Sequence, residues 1–284
     1  MMRIAIAGSL EGEGAAAALE PSNERMIPDN SDELTFWEHV YRYAFASAFV
    51  EGKRVLDIAC GEGYGAAALR GAGAVQVIGV DISDAVCRHV RTKYGIETTA
   101  GNAESIPLAD RSVDVIVSFE TIEHVSAPDR FLSECVRVLT PGGTLIVSTP
   151  NRGFYEYQGD TPNPYHLSEM TEQEFISGLR SRFYDLSFYT QRPYSAAWWS
   201  PRTLVSKYGL WRHIPGFSRL PGLAQFLVTP EVSAGLTKEV RSSASDMILK
   251  IERRRRRLFN PFAVRRRRAW TGEKPTYVIG VGKC

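Results

Sequence analysis

Between residues 54 and 149, short apolar segments alternate with segments whose apolar residues recur at helical spacing. The apolar segments predict strands at residues 54–59, 75–81, 96–100, 113–119 and 144–149. The other segments predict helices at residues 65–70, 83–94 and 129–139, the last followed by a turn at 140–143. Strands that alternate with helices form a mainly parallel sheet with helices on both faces. Because such crossovers are right-handed, we predict a doubly wound α/β fold.

The flanking segments predict further elements around this sheet. Residues 32–49 carry apolar and aromatic side chains at helical spacing and predict a helix. A loop rich in Gly, Pro and Tyr extends to about Met170, and a capping box at Thr171–Glu174 then opens another helix. Two more strands are predicted, at residues 185–191 and 276–282.

These elements divide the chain into three regions. Residues 1–30, rich in Ala, Gly and Glu, predict a mobile N-terminal arm, and residues 31–191 with 276–284 form the main domain. Residues 192–275 are predicted to be an inserted helical cap that contributes the substrate region. Three of its tryptophans either stack on the flat face of a ligand or form the core of the cap; they are Trp198, Trp199 and Trp211.

The composition excludes several classes of protein. Hydrophobic residues make up 44% of the 284 residues, which is too many for global disorder, and no apolar run reaches the roughly 18 to 20 residues of a membrane-spanning helix. The four cysteines include no Cys-x-x-Cys pair, so we expect neither a disulfide framework nor a thiolate zinc site. Glu11 and Glu13 interrupt the N-terminal apolar stretch, so we expect no signal peptide and a cytoplasmic protein.

The net charge of +2 is distributed unevenly along the chain. Residues 241–268 hold eleven basic and two acidic residues, a charge of +9, so the rest of the chain carries 2 − 9 = −7. The arginine runs Arg253–Arg257 and Arg265–Arg268 lie in this segment and are either a solvated face or a surface for an anionic partner. Among partners, an anionic membrane surface is favoured over nucleic acid, which would place the protein peripherally at the inner face of a membrane.

A glycine-rich turn follows the first predicted strand. Asp57 and Ala59 precede Gly61, Gly63 and Gly65, whose spacing differs from the Gly-x-Gly-x-x-Gly of dinucleotide-binding turns. Glycines let the backbone approach a ligand closely. The acidic side chains of Asp57 and Glu62 would repel a pyrophosphate and suit a cationic ligand. S-adenosylmethionine has a sulfonium and an ammonium group and no phosphate, so it fits this turn.

Further polar residues follow at the ends of the next strands, where ligands of such sheets bind. Asp81 ends the second strand, 24 residues after Asp57, at the place where an acid accepts hydrogen bonds from ribose hydroxyls. Ile82 follows it, Asn102 and Ala103 follow the third strand, and Phe119 ends the fourth. The alternative is that the glycines only form turns and that Asp81 caps a helix.

With these motifs in this order, the chain resembles the class I S-adenosylmethionine-dependent methyltransferases over residues 50–190 and the final strand. The resemblance implies methyl transfer and a seven-stranded sheet whose last strand is antiparallel. It also implies that Asp57, Gly61 and Gly63 hold the methionine part of the donor, Asp81 the ribose, and Asn102 with Ala103 the adenine. Arg25 either pairs with the methionine carboxylate or caps the N-terminal arm.

A second group of side chains follows the fourth strand. Glu120, Glu123 and His124 have the i, i+3, i+4 spacing that places side chains on one face of a helical turn. With His166 from the loop after the fifth strand, they could bind a divalent cation such as Mg²⁺ or Mn²⁺ that acidifies an acceptor hydroxyl. Two alternatives stay open: His124 is a general base without metal, or the group has neither role.

This Glu-x-x-Glu-His pattern with a later histidine resembles the metal site of terminal-ribose small-RNA methyltransferases, and related forms occur in ubiquinone-pathway O-methyltransferases. Residues 24–28, the helix with His39, Arg42 and Tyr43, and residues 148–151 and 163–166 are similar to bacterial sugar and polysaccharide O-methyltransferases. The resemblance implies O-methylation of a sugar hydroxyl in a glycan, glycolipid or glycosylated metabolite. The alternatives are a 2′-O-methyltransferase for RNA termini and a non-catalytic methyltransferase-like scaffold.

Overall fold

The structure, a computed structural model, describes residue 26 and residues 33–158, 163–193, 264–266 and 275–284. Several sequence-based predictions lie outside these ranges. They are the N-terminal arm, Arg25, nearly all of the cap with its tryptophans, and the run Arg253–Arg257. No helix of the described ranges is long and apolar enough to cross a bilayer.

The described residues form six α-helices and eight strands, with short 3₁₀ turns at Ser47–Phe49 and Ile122–His124. The helices are α1 Glu33–Ala46, α2 Tyr64–Gly71, α3 Asp84–Tyr94, α4 Pro128–Val138, α5 Arg152–Gln158 and α6 Glu172–Arg180. The strands are β1 Arg54–Ile58, β2 Gln76–Asp81, β3 Glu97–Ala100, β4 Val113–Ser118, β5 Leu139–Pro150, β6 Tyr184–Pro193, β7 Arg265–Arg266 and β8 Pro275–Lys283. Most bounds agree with the sequence-based prediction to within one or two residues.

All eight strands lie in one sheet with the order β3-β2-β1-β4-β5-β8-β6-β7. Strands β1 to β5 pair in parallel, whereas β8 runs antiparallel between β5 and β6. The predicted doubly wound α/β fold with an antiparallel last strand is therefore confirmed. The parallel order places the carboxyl ends of β1, β2, β4 and β5 at one edge, where the loops after them meet.

Seven strands of this sheet match the prediction, and the two-residue strand β7 adds an eighth at its edge. Arg265 and Arg266, the first residues of the second arginine run, pair with Thr190 and Tyr189 at the edge of the sheet. A two-residue strand has no alternating pattern to detect, and its sequence, two arginines, gave no strand signal. These two residues belong to the sheet even though they fall within the range predicted as cap.

Two local predictions also differ from the structure. Helix α5 lies in the segment predicted as loop. Seven residues are too few to show a helical period in the sequence. In the structure, ion pairs of Arg152 with Glu156 and Glu174 hold this segment. The predicted turn at 140–143 is an irregular part of β5, where Gly142 has a φ of 76°. The Gly142 N–H donates to the carbonyl oxygen of Cys284 over 2.6 Å, so the final strand holds this bulge in the sheet.

The sheet separates two hydrophobic clusters, one on each face. Neighbouring residues of β5 point to opposite sides, so that Ile146 enters the cluster beside α1 and α2 while Leu145 enters the cluster beside α4 and α6. Both side chains are at most 1% exposed. On the α6 side, Thr171 and Glu174 form the predicted capping box at the helix N-terminus. Because both faces of the sheet are packed, the strand ends that carry the loops at the carboxyl edge are held in fixed positions.

Candidate active site

The glycine turn between β1 and α2 is built from residues in the left-handed region. Ala59, Gly61 and Gly63 have φ values of 55°, 52° and 92°. A Cβ at Gly63 would also lie 2.7 Å from both methyl groups of Val90, so packing against α3 requires a glycine there. A Cβ at Gly65 would lie 2.1 Å from the ring of Tyr43. The close approach that explains Gly65 is therefore to a side chain of α1 and not to a ligand.

Asp57, near the end of β1, is fully buried beneath this turn. The hydroxyl of Tyr43 donates to its two carboxylate oxygens, at 3.1 and 3.2 Å. Burial raises the pKa of Asp57 to about 7, the hydrogen bond from Tyr43 opposes that rise, and the nearby charge of Asp81 adds to it. The site therefore contains a carboxylate whose negative charge is costly until a cation approaches.

Asp81, at the end of β2, closes the other side of the turn. Its Oδ2 accepts the Gly61 N–H at 3.1 Å and its Oδ1 accepts the Ser83 N–H at 3.0 Å, so the structure brings Asp81 and the glycine turn together. Ile82 follows with its side chain 79% exposed, an apolar surface beside a polar rim. Asn102 holds the next loop, where its Oδ1 accepts the Glu104 N–H at 2.8 Å. These residues fit a ligand with a ribose and a flat apolar base.

Glu62 has a different role from the one predicted. Its side chain is 3% exposed and points towards α3, where it accepts a hydrogen bond from the Tyr94 hydroxyl at 2.8 Å. It also pairs with the Lys93 ammonium group and lies 3.2 Å from His89 Nε2. The expectation that Glu62 attracts a cationic ligand is wrong, because its charge is balanced within the protein and fastens the turn to α3.

A second group of side chains assembles where β4 and the loop after α5 meet. Glu123, His124 and His166 each offer a ligand atom, and these atoms all lie within 4.8 Å of one another. The Glu123 side chain is fully buried, and its Oε2 accepts a hydrogen bond from the Thr149 hydroxyl at 3.4 Å. Its Oε1 has no hydrogen-bond partner among the described residues. We call these three residues the Glu-His-His cluster.

The chemistry of the Glu-His-His cluster fits a divalent cation. Burial, followed by the charge of Glu120, raises the pKa of Glu123 well above its usual range. One carboxylate and two imidazoles are oxygen and nitrogen ligands of the kind that transition metals and Mg²⁺ accept. An unused oxygen on a buried carboxylate is costly by itself, and a cation beside it would remove that cost.

The loop that carries His166 is fixed to the turn that carries His124. The Ser168 hydroxyl lies 2.8 Å from the carbonyl oxygen of Ile122 and 2.9 Å from that of Val125. The two imidazole rings lie 4.9 Å apart between centroids and are nearly perpendicular, at 79°. The sequence spacing alone could not show that the two loops meet. His124 and Tyr165, which are in contact, lie 41 residues apart in the chain.

Glu120 does not join the Glu-His-His cluster, although the sequence predicted it as one of four ligands together with Glu123, His124 and His166. Its Oε1 accepts a hydrogen bond from the Ser148 hydroxyl at 2.8 Å and lies 3.4 Å from Arg42 Nη1. Arg42 is fully buried, with its guanidinium 4.5 Å from the ring centre of Tyr277. Glu120 adopts a φ of 51°, unusual for a residue other than glycine. Its carboxylate balances the charge of Arg42.

Phe119, at the end of β4, links the part of the site around Asp57 to the part that holds the Glu-His-His cluster. Its buried ring packs edge-on against Tyr43 with 5.1 Å between centroids, so the residue at the end of β4 contacts the residue that holds Asp57. Sequence reasoning gave no role in the site to Tyr43 or Arg42, although both lie on the buried side of α1. Two adjacent residues with polar groups on the mostly apolar buried side of this helix were the available signal.

Comparisons with known proteins show which family the chain resembles. The family model described as "Methyltransferase domain" matches residues 56–147. A protein of Mycolicibacterium smegmatis named as an S-adenosylmethionine-dependent methyltransferase is 40% identical over 174 residues, which are 60% of this chain and 67% of that protein. The phthiotriol/phenolphthiotriol dimycocerosates methyltransferase 1 of Mycobacterium ulcerans is 34% identical over 131 residues, 43% of this chain and 48% of that protein.

Among solved structures, an S-adenosylmethionine-dependent methyltransferase of Thermotoga maritima matches with a TM-score of 0.51 and 20% sequence identity. The match covers 88% of this chain and 94% of that one. At this identity the likeness shows the fold alone.

Proposed function

Because the chain belongs to the S-adenosylmethionine-dependent methyltransferases, we propose that it transfers the methyl group to a sugar hydroxyl of a glycan, glycolipid or glycosylated metabolite with the help of a divalent cation. The observation that carries this proposal is the Glu-His-His cluster, in which a buried carboxylate oxygen of Glu123 has no hydrogen-bond partner among the described residues. A hydroxyl oxygen is a poor nucleophile at neutral pH, and a divalent cation bound beside it would lower the pKa of the hydroxyl.

We assign the donor to the cleft at the ends of β1 and β2. The exposed side chain of Ile82 supports an adenine resting there beside Asn102 and Ala103, and we assign the ribose hydroxyls to Asp81, which adjoins the glycine turn. The positive end of the donor would lie on the side of Asp57. Ala59, Gly61, Gly63 and Phe119 complete our assignment of the donor site. The bound donor supplies an electrophilic methyl group on its sulfonium sulfur.

We assign the cation to the Glu-His-His cluster, as Mg²⁺ or Mn²⁺. When bound there, a divalent cation would lower the pKa of an acceptor hydroxyl and restrict its orientation. In the transfer itself, the hydroxyl oxygen forms a bond to the methyl carbon while the carbon–sulfur bond breaks and its electron pair stays on sulfur. The hydroxyl proton passes to a base, and His124 is our choice of base for the variant of this proposal that needs no cation.

Two further observations bear on the acceptor. The similarity of the segments around Arg42, Ser148 and His166 to sugar O-methyltransferases supports a sugar hydroxyl. The name of the M. ulcerans relative supports a second candidate, the hydroxyl of a large apolar lipid. Both candidates agree with the proposal that the arginine runs Arg253–Arg257 and Arg265–Arg268 attach the enzyme to an anionic membrane surface that carries its acceptor.

The test is a methyl-transfer assay with labelled S-adenosylmethionine and a panel of monosaccharide glycosides, glycolipids and lipid diols. We expect label on a sugar, loss of transfer in excess chelator, and recovery with Mg²⁺ or Mn²⁺. Glu123→Gln should abolish transfer while donor affinity changes less than about twofold, and Glu156→Gln, at an exposed carboxylate, is the matched control. Full activity in excess chelator would remove the cation from the mechanism, and label only on a lipid diol would select the second candidate.

A vesicle experiment tests the membrane proposal. We expect the protein to sediment with vesicles that contain anionic phosphatidylserine and to remain in solution with neutral phosphatidylcholine vesicles. Replacement of Arg253–Arg257 by glutamine should release it. Equal sedimentation with both kinds of vesicle would contradict an electrostatic attachment.

A further inference from the structure

Three residues of the loop before α6 form a short hydrogen-bond chain through the ring of His166. Asn163 Oδ1 accepts the backbone N–H of Tyr165 at 3.0 Å, and this contact fixes the orientation of the Asn163 amide, because only its oxygen can accept. Asn163 Nδ2 must then be the amide atom that lies 3.0 Å from His166 Nε2. An NH₂ group donates, so Nε2 of His166 is the acceptor and carries no proton.

The other side of the ring leads to the same tautomer. His166 Nδ1 lies 2.6 Å from Oε1 of Glu169, and an ionised carboxylate can only accept. Nδ1 therefore carries the proton and donates it to Glu169. The two contacts are independent of each other: the first leaves Nε2 without a proton and the second places a proton on Nδ1, so together they specify a neutral imidazole protonated on Nδ1.

His124 is held in the matching state. Its Nδ1 lies 3.1 Å from the backbone carbonyl oxygen of Tyr165, which has no hydrogen to donate, so this nitrogen too carries the proton. In its neutral form His124 therefore has its lone pair on Nε2, as His166 does. A histidine binds a cation through its unprotonated nitrogen, and the partner of its other nitrogen decides which one that is.

We infer that Glu169 is a positioning residue which, together with Asn163, holds His166 ready to bind a divalent cation through Nε2. This inference rests on the cation in the proposed function. Glu169 is itself held in place, since its side chain is only 18% exposed and its backbone carbonyl oxygen accepts a hydrogen bond from Arg152 at 2.8 Å. Asn163 would occupy the lone pair of Nε2 in the metal-free protein and give way to the cation.

The test uses the full chain after chelator treatment, with MnCl₂ as the probe. We expect Glu169→Ala to weaken the Mn²⁺ affinity measured by titration calorimetry about 10- to 100-fold. Glu169→Gln, whose side-chain oxygen can still accept from Nδ1, should recover most of that affinity. Glu97→Ala, at an exposed glutamate of β3 whose carboxylate accepts a hydrogen bond from Gln76, is the matched control and should bind Mn²⁺ like the wild type. The affinity for S-adenosylmethionine and the melting temperature of each variant show that it is folded.

A second readout follows the tautomer without any metal. In ¹⁵N-histidine spectra of the chelator-treated wild type, we expect His166 to be protonated on Nδ1, and Glu169→Ala to lower that population. A wild type protonated on Nε2, or an unchanged Mn²⁺ affinity in Glu169→Ala, would overturn the role of Glu169 and leave the proposed function standing. A folded wild type that binds no Mn²⁺ would instead overturn the cation of the proposed function and the inference with it.

Discussion

At the scale of single residues, two carboxyl groups of the site differ from a carboxyl group elsewhere in what shifts their pKa. Asp114, away from the site, is held by the Arg54 guanidinium, whose hydrogen bonds lower the pKa of that carboxyl to about 2. For Asp57 and Glu123 burial is the largest influence, and it raises the pKa of both. A buried carboxylate without a cation beside it favours binding of a positively charged ligand. S-adenosylmethionine and a divalent cation both carry positive charge.

The raised pKa of Asp57 has a consequence for stability. Between its unfolded value of 3.8 and its folded value of about 7, the folded state binds more protons than the unfolded state, so this residue's contribution to stability falls as pH rises through that window. We expect the wild type to lose roughly 2–3 kcal/mol more between pH 5 and pH 8 than Asp57→Asn loses. Urea unfolding of both proteins without donor measures this difference.

The comparison with Asp57→Asn cancels the titration of the other carboxylates, including Asp114, whose lowered pKa acts in the opposite direction at lower pH. Equal pH dependence in the two proteins would show that Asp57 is ionised in the folded state throughout this range. Added S-adenosylmethionine should reduce the difference, since a positive ligand favours the charged form.

At the scale of elements, helix α1 and the glycine turn support each other. Tyr43 of α1 holds the carboxylate of Asp57 and packs on Gly65, the second residue of α2. The ring of Tyr43 also contacts Tyr64 and Phe119, with centroids 5.5 and 5.1 Å away. The helix before the first strand is therefore part of the proposed donor site, although it contributes no glycine motif.

We expect Gly65→Ala to disrupt this contact. Its Cβ would lie 2.1 Å from the Tyr43 ring, which must move and release Asp57, so donor affinity should fall at least about tenfold and stability by about 1–3 kcal/mol. Gly178→Ala in α6 is the matched control, because its Cβ would meet only Leu132 at 3.6 Å, and a helix interior gains about 0.5–1 kcal/mol from alanine. Calorimetry with S-adenosylmethionine and thermal unfolding measure both effects, and an unaltered donor affinity in Gly65→Ala would contradict the role of Tyr43.

The elements were largely predictable from the sequence and the site only in part. Hydrophobic period and capping signals located the main helices and strands, whereas the seven residues of α5 and the two of β7 carry no period. The sequence grouped Glu123 and His124 with His166, and the structure brings their ligand atoms within 4.8 Å of one another. The i, i+3, i+4 spacing could not show that Glu120, the remaining member of the predicted group, turns to Arg42. Contacts between residues distant in sequence, such as Tyr43 with Asp57, are set by packing that no local pattern reveals.

At the scale of the whole molecule, one sheet joins the two hydrophobic clusters. Because Leu145 and Ile146 of β5 face opposite clusters, we expect Leu145→Ala and Ile146→Ala each to cost about 2–5 kcal/mol. Both variants should still unfold in a single transition, since the sheet couples the clusters. Val75→Ala, at a side chain 69% exposed, is the control and should change stability by less than about 0.5 kcal/mol. Separate transitions in circular dichroism and tryptophan fluorescence would show that the two faces unfold independently.

The sheet also brings the two parts of the proposed site, the donor cleft and the Glu-His-His cluster, close to each other. The parallel strands deliver Asp57 and Asp81 to one part of the carboxyl edge and Glu123 with His124 to the next, and Phe119 lies between them. A donor in the first part and a cation in the second would be neighbours, which is the arrangement that methyl transfer to a cation-activated hydroxyl needs.

The most direct test of this arrangement is anomalous diffraction from crystals grown with S-adenosylmethionine and MnCl₂. We expect one manganese peak within about 2.0–2.6 Å of a Glu123 oxygen, His124 Nε2 and His166 Nε2, with the donor in the cleft beside Asp81. A map with the donor in place and no peak at the Glu-His-His cluster would contradict the account.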